Sequence, residues 1–137
     1  KELQHQFHLT YLFISHDLGV VEHITNRVAV MYVGKIVELA ETEELFQNPR
    51  HPYTSALLAA VPKIDTKYRK AKKALLLGEV ADPSNPPSGC YFHPRCQYAQ
   101  AICREEYAPF ANIGKNGSQH FVACHFAETL KPEANRT

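Results

Sequence analysis

The stretch LTYLFISHDLGVVEHITNRVAVMYVGKIVELAE, residues 9–41, decides the fold class of this chain. Its first seven residues, Leu9–Ser15, form a continuous run of apolar, β-branched and aromatic side chains. Such a run is typical of a strand that is buried on both faces, as in a parallel sheet. Asp17 follows closely and is a good N-cap for a helix over residues 18–25. A buried strand followed by a capped helix predicts an α/β fold.

The second half of the stretch predicts a hairpin. The segments RVAVMY (27–32) and KIVELA (35–40) alternate or run apolar, and they flank Val33 and Gly34. Glycine adopts the positive φ that tight hairpin turns need, so we expect the turn at these two residues.

Two short helices are expected after the hairpin. Thr42 precedes two glutamates and a leucine, which is typical of an N-capped helix, and Asn48 with the proline after it would end that helix. Pro52 suits the first turn of a second helix, because apolar residues follow it at helical spacing up to Pro62.

Composition and charge argue against several classes of partner. The 137 residues carry a formal net charge of +1, so no strong field attracts nucleic acid or an anionic membrane. Residues 63–74 are basic, but a solvated linker is a better interpretation than a nucleic-acid patch. No apolar run approaches the roughly 18 residues of a membrane span. Neither a signal peptide nor a starting methionine is present, so we expect the chain to begin within a longer protein.

The four cysteines carry the clearest chemical signal in the sequence. They are Cys90, Cys96, Cys103 and Cys124, spaced C-x5-C-x6-C-x20-C. Four thiolates suit a tetrahedral zinc ion or an iron–sulfur cluster, because soft sulfur ligands select those metals. The tight C-x2-4-C knuckles of zinc fingers are absent, and so is the bacterial ferredoxin run. The spacing therefore indicates a metal site without identifying the metal.

Two other states of the cysteines are possible from sequence alone. They could pair as two disulfides, which an oxidising compartment would allow, although no secretory signal is present. They could also be free buried thiols that pack as small apolar side chains. Their confinement to the final third of the chain favours the metal site over both.

Several histidines are candidates for function. His16 stands at the carboxyl end of the expected strand, where open α/β sheets place their ligands, so its side chain could face a bound phosphate. Other polar residues flank the cysteines and could be hydrogen-bond donors to a metal site or alternative ligands. We expect these to be exposed polar residues, because four cysteines already complete a tetrahedral set. They are His93, Arg95, His120 and His125.

Much of the chain resembles one family. Residues 10–38, TYLFISHDLGVVEHITNRVAVMYVGKIVE, are similar to the switch-histidine segment of ABC-transporter nucleotide-binding domains. HPYTSALLAAVP (51–62), NPPSGCYFHPRCQYAQAIC (85–103) and HFVACHF (120–126) resemble the C-terminal extension of dipeptide and oligopeptide importer ATPases. The combination is typical of the peptide and nickel importer branch.

The resemblance implies a function and its cofactors. His16 would be the switch histidine that contacts the γ-phosphate of ATP, with Mg²⁺ in the intact subunit. The four cysteines would hold a 4Fe–4S cluster, with zinc as the alternative. The intact subunit would hydrolyse ATP at the cytoplasmic face of the membrane, as a peripheral protein that powers import of di- or oligopeptides, or of nickel. Its partners would be a second ATPase subunit, the transmembrane permease subunits and, indirectly, a substrate-binding protein.

The chain also departs from the pattern of that family. It contains no G-x4-G-K-[ST] phosphate loop, no LSGGQ-like signature and no acidic end to a hydrophobic Walker B strand. Without the phosphate loop, the amides and lysine that cradle the phosphates are missing. We therefore expect a C-terminal fragment of such a subunit, inactive as an ATPase on its own.

Three regions are expected in the chain. Residues 1–62 would be the C-terminal part of the ATPase domain, 63–89 a linker, and 90–137 a small cysteine-rich metal-binding extension. The alternative function is a stand-alone interaction module that binds zinc or an iron–sulfur cluster and has no nucleotide chemistry.

Overall fold

The computed structural model describes residues 2–61 and 78–130. Its helices are short and most of them precede the cysteine region; they are α1 (Glu2–Phe7), α2 (Leu18–Ile24), α3 (Thr42–Gln47), α4 (Pro52–Ala60), a 3-10 helix (His93–Arg95) and α5 (Ala101–Glu105). The strands are β1 (Arg27–Tyr32), β2 (Lys35–Glu41), β3 (Ala111–Asn112) and β4 (His120–Val122). Within these ranges no helix is both long and apolar enough to cross a membrane.

The hairpin that the sequence predicts is confirmed. Strands β1 and β2 pair antiparallel from Arg27 opposite Glu41 to Tyr32 opposite Lys35. Val33 and Gly34 form the two-residue turn, with φ angles of 45° and 75°. Two successive positive φ angles match the right-handed twist of the strands, which is why such turns suit hairpins.

The cysteine region joins this hairpin through the sheet. Among the described residues the strand order is β1-β2-β4-β3, and every neighbouring pair is antiparallel. Glu38 lies opposite Val122, and Ala40 opposite His120. The amide of Ala123 continues the pairing by donating to the carbonyl of Val37 at 2.9 Å. Strand β2 is thus interior to the sheet and paired on both edges.

One apolar core underlies the hairpin. Every second residue of β1 is buried, which the alternation of a strand produces when one face is covered. The buried core residues are Val21, Val28, Val30, Tyr32, Val37, Ala40, Leu45 and Phe92. Phe92 comes from the cysteine region, and its ring lies 5.3 Å from that of Tyr32 and 5.4 Å from that of Tyr53. The cysteine region therefore packs into the same core as the hairpin.

The expected buried strand over Leu9–Ser15 is wrong for this chain. These residues form no strand and are exposed, with Leu12 at 93 % and Ile14 at 92 %. A strand needs a neighbour to pair its amide and carbonyl groups, and no strand among the described residues lies beside this segment. The described sheet is antiparallel, so the parallel sheet inferred from this run is also not formed.

The helix predictions are confirmed with one correction. Asp17 caps α2, accepting from the amide of Val20 at 3.2 Å, and α4 starts at Pro52. The predicted cap at Thr42 is wrong, because Thr42 is the first residue of α3 and Glu41 holds the cap position. The Thr42 hydroxyl instead donates to the carbonyl of Thr25, which ties α3 to the end of α2.

Part of the expected linker cannot be compared with the structure. Residues 63–77, including the basic stretch, lie outside the described residues, as do Pro62 and residues 131–137.

Candidate functional site

Short turns place the four cysteines. Cys90 and Cys96 stand on either side of the 3-10 helix, and the amide of Cys96 donates to the carbonyl of His93 at 3.2 Å. Cys103 lies in α5, and its carbonyl accepts from the amide of Cys90 at 2.9 Å. Cys124 lies two residues after the end of β4. Three local turns and one sheet strand thus bring all four thiols together.

All four cysteines line one pocket. Phe92, Tyr98, Phe126 and His51 add to its walls, so the sulfur atoms lie in largely apolar surroundings. All four are free thiols, so the two disulfides that the sequence left open are not formed.

The surroundings change the acidity of the thiols. Burial raises the pKa of Cys90 and Cys96, and it raises the pKa of Cys124 to about 11. Backbone amides that donate to the sulfur atoms lower each pKa in part, and charge on the neighbouring cysteines raises each further. A thiolate in this pocket therefore needs a positive partner, which a metal ion or cluster supplies.

The structure does not group these side chains as ligands of a single ion. Among residues 2–61 and 78–130, no three His, Cys, Asp or Glu side chains are placed to hold a metal ion. A zinc ion would need sulfur atoms about 2.3 Å from one common centre. The four cysteines therefore share a pocket without converging on one point.

A buried carboxylate ties the pocket to the hairpin. Glu38 of β2 is 0 % exposed. Its Oε1 accepts from the amide of Arg50 at 2.7 Å and contacts Nε2 of His120 at 2.7 Å, and its Oε2 accepts from the amide of His51 at 3.0 Å. Nδ1 of His120 also lies 3.4 Å from Glu44. Glu38 thereby holds together β2, the start of α4 and β4.

His51 is the buried wall of the pocket on the α4 side. It is the N-cap of α4, and its Nδ1 accepts from the amide of Tyr53 at 3.1 Å. The side chain is 1 % exposed, and this burial lowers its pKa from the ordinary 6.5 to about 4, although the charge of Glu38 acts in the opposite direction. The ring is therefore neutral around pH 7.

The four polar residues beside the cysteines were expected to be exposed, and none of them is: His93, Arg95 and His125 are half-buried, and His120 is buried. Nδ1 of His93 donates to the carbonyl of Cys90 at 2.9 Å, and Nε2 of His125 donates to the carbonyl of Glu106 at 3.1 Å. Both also line the pocket. His120, expected to be an exposed polar residue, is 2 % exposed, because β4 turns it towards Glu38.

His16 lies away from the cysteine pocket, immediately before the N-cap of α2. Its side chain is exposed, and residues 9–15 before it belong to no helix or strand. Among the described residues it does not meet the four cysteines, which lie at the other end of the chain around the pocket.

Two residues of the site were not found from the sequence. Glu38 is a polar residue in a strand whose two faces both carry apolar residues, so the alternation does not show whether it is buried. His51 had a usable signal, since histidine directly before a proline that starts a helix stands at the cap position.

Comparison with known proteins identifies the family. Residues 37–103 match the family described as oligopeptide/dipeptide transporter, C-terminal region. The chain is 52 % identical to the oligopeptide transport ATP-binding protein AppF of Bacillus subtilis, over 91 % of the chain and 37 % of that protein. It is 51 % identical to the probable peptide ABC transporter ATP-binding protein y4tS of Sinorhizobium fredii, over 90 % of the chain and 34 % of that protein.

A third relative has a similar relation to the chain. The dipeptide transport ATP-binding protein DppF of Haemophilus influenzae is 51 % identical over 76 % of the chain and 32 % of that protein. The chain thus spans about a third of the length of these curated relatives. It belongs to the oligopeptide and dipeptide ABC transporter ATP-binding proteins, and residues 37–103 carry their C-terminal region.

Proposed function

We propose that this chain is part of an ATP-hydrolysing subunit that powers import of peptides across a membrane. The observation that carries the proposal is about 50 % identity, over most of the chain, to proteins named for oligopeptide or dipeptide transport and ATP binding. ATP with Mg²⁺ would be the nucleotide of the intact subunit. A second ATPase subunit and the transmembrane permease subunits would be its partners at the cytoplasmic face of the membrane, with a substrate-binding protein acting indirectly.

His16 would contact the γ-phosphate of ATP in the intact subunit. Its exposed position before the cap of α2 leaves the imidazole accessible to a ligand held by other parts of such a subunit. A side chain that touches only the γ-phosphate acts mainly on the transition state. His16→Ala in the full-length subunit should strongly reduce ATP turnover while ATP binding is retained.

A matched control exists for that variant. His23 is an exposed histidine at the end of α2, and His23→Ala should leave turnover close to that of the wild type. Equal turnover in the wild type and the His16→Ala variant would exclude His16 as the phosphate contact.

The four cysteines would hold an iron–sulfur cluster. Four soft donors line one pocket, and this donor set fits the group. We place the cluster before zinc because the resemblance to peptide importer ATPases implies a 4Fe–4S cluster at these four cysteines. When bound, the cluster would cross-link the turns that carry the cysteines and could exchange an electron.

Iron, zinc and sulfide analysis after anaerobic purification tests this site. The wild type should contain iron and sulfide, and each of four single Cys→Ser variants should lose metal and become sensitive to protease in residues 90–130. Tyr98→Phe changes the pocket wall without removing a thiol, so it should retain the metal. A cysteine variant with full metal content and wild-type protease resistance would not be a ligand, and zinc in place of iron would identify the other metal.

A further inference from the structure

Three histidines line the cysteine pocket, and their hydrogen bonds to the backbone show which ring nitrogen carries the hydrogen in each. His93 meets the carbonyl of Cys90 with its Nδ1, and His125 meets the carbonyl of Glu106 with its Nε2. A carbonyl only accepts, so in the neutral ring that nitrogen carries the hydrogen and the other nitrogen is an acceptor. Neither ring then has a second N–H to offer to the pocket.

In His51 the ring nitrogen that contacts the backbone accepts a hydrogen bond instead of donating one. Its Nδ1 lies 3.1 Å from the amide nitrogen of Tyr53, and a backbone amide only donates. Nδ1 must therefore be the acceptor, and the hydrogen of the neutral ring lies on Nε2. His51 is thus the histidine of this pocket whose backbone contact leaves an N–H available.

The orientation of this ring is fixed from two sides. The amide of His51 donates to Oε2 of the buried Glu38 at 3.0 Å, and the ring packs 5.8 Å from that of Phe92. His51 lines the pocket together with the four cysteines, so their sulfur atoms are acceptors on the walls of the same pocket.

We propose that His51 donates a hydrogen bond from Nε2 to a sulfur atom of the metal-bound cysteine set, while its Nδ1 caps α4. This inference rests on the metal site proposed above. The role is one of positioning and tuning, because the imidazole acts on the metal through the sulfur. A donor to sulfur disperses the negative charge of a metal–thiolate site, which favours its reduced form and raises its reduction potential.

Two variants of the full chain separate the two nitrogen atoms. His51→Asn keeps an acceptor at the cap position, where asparagine is favoured, but removes the N–H that reaches the pocket. His51→Gln places an amide N–H near the position of Nε2 and gives up the cap acceptor. Both are purified anaerobically with the wild type, and metal content, competition with a chelator and reduction potential are measured.

We expect His51→Asn to hold metal roughly 10- to 100-fold more weakly than the wild type and to have a lower reduction potential. His51→Gln should hold metal nearly as well as the wild type and lose thermal stability instead. Nitrogen-15 NMR of the wild-type histidines should find the proton on Nε2 of His51.

The outcomes distinguish this inference from the proposed function. A wild-type chain without metal overturns the metal site and this inference together. A wild-type chain that holds metal, beside a His51→Asn chain with unchanged affinity and potential, overturns this inference alone. Equal weakening in both variants, or a proton on Nδ1, also overturns it, since the N–H would then not be the feature that matters.

Discussion

Replacing Glu38 by alanine should be among the most damaging single changes in this chain. The substitution removes a carboxylate that is 0 % exposed and accepts from three donors, the amides of Arg50 and His51 and Nε2 of His120. Hydrogen bonds to a charged group contribute about 1.5–3 kcal/mol each, and each buried donor left without an acceptor costs about 1–3 kcal/mol. These terms overlap because one group makes all three contacts, so we expect a loss of about 3–5 kcal/mol in the free energy of unfolding.

Urea unfolding followed by circular dichroism measures this loss, with every variant prepared at the same metal content. Glu41 ends the same strand but is exposed, so Glu41→Ala should change the free energy of unfolding by about 0.5 kcal/mol or less. Glu38→Gln keeps the shape and one acceptor oxygen, and its loss should fall between the two. Equal unfolding midpoints and slopes for Glu38→Ala and Glu41→Ala would refute the role assigned to Glu38.

Three further predictions follow from the site. A Cβ on Gly89, at φ 64°, would lie 2.5 Å from the carbonyl oxygen of Cys103, whereas Gly117, at φ 82°, has nothing within 4 Å. Gly89→Ala should therefore lose metal and unfold earlier in urea, while Gly117→Ala should lose only the roughly 1–2 kcal/mol of a positive φ; equal losses would contradict this. Burial lowers the pKa of His51 from 6.5 to about 4, so the unfolded chain takes up the proton first as the pH falls. The contribution of neutral His51 to the free energy of unfolding is complete above pH 6.5 and is lost between pH 6.5 and 4, about 3 kcal/mol in all. The free energy of unfolding in urea of the metal-free wild type should fall over this pH range, and that of His51→Gln should not fall in this way. Chelation of the metal should increase protease cleavage within residues 90–130, because small metal-binding regions derive much of their stability from the metal, and unchanged cleavage would argue against this dependence.

Short-range signals were sufficient for the local elements. The hairpin, α2 and α4 were predicted from an alternating pattern, a cap at Asp17 and a proline at the helix start, each of which acts within a few residues. The grouping of the cysteines was also predicted, since three of them are close in sequence. The prediction of a buried strand at Leu9–Ser15 was wrong, because an apolar run indicates a buried strand only where partner strands are present.

The long-range features could not be predicted in the same way. Pairing of β2 with β4 depends on contacts between residues 82 positions apart, as for Glu38 and His120, and no local pattern encodes it. The burial of Glu38 follows from that pairing, so its position within a strand did not show that the carboxylate is buried. The tautomer of His51 likewise depends on the amide of Tyr53 and becomes visible only once the helix cap is in place.

The pairing of β2 with β4 sets the order of events during synthesis. A ribosome adds about 5–20 residues per second, so Glu38 emerges roughly 4–16 seconds before His120, which lies 82 residues later. Throughout that interval one edge of β2 is without its neighbour, and the carboxylate that will be buried remains in water. The edge of the nascent hairpin can then pair with other strands, and the last cysteine is added two residues after the end of β4. Assembly of the proposed metal site would therefore be a late step, completed after the final strand of the sheet has been made.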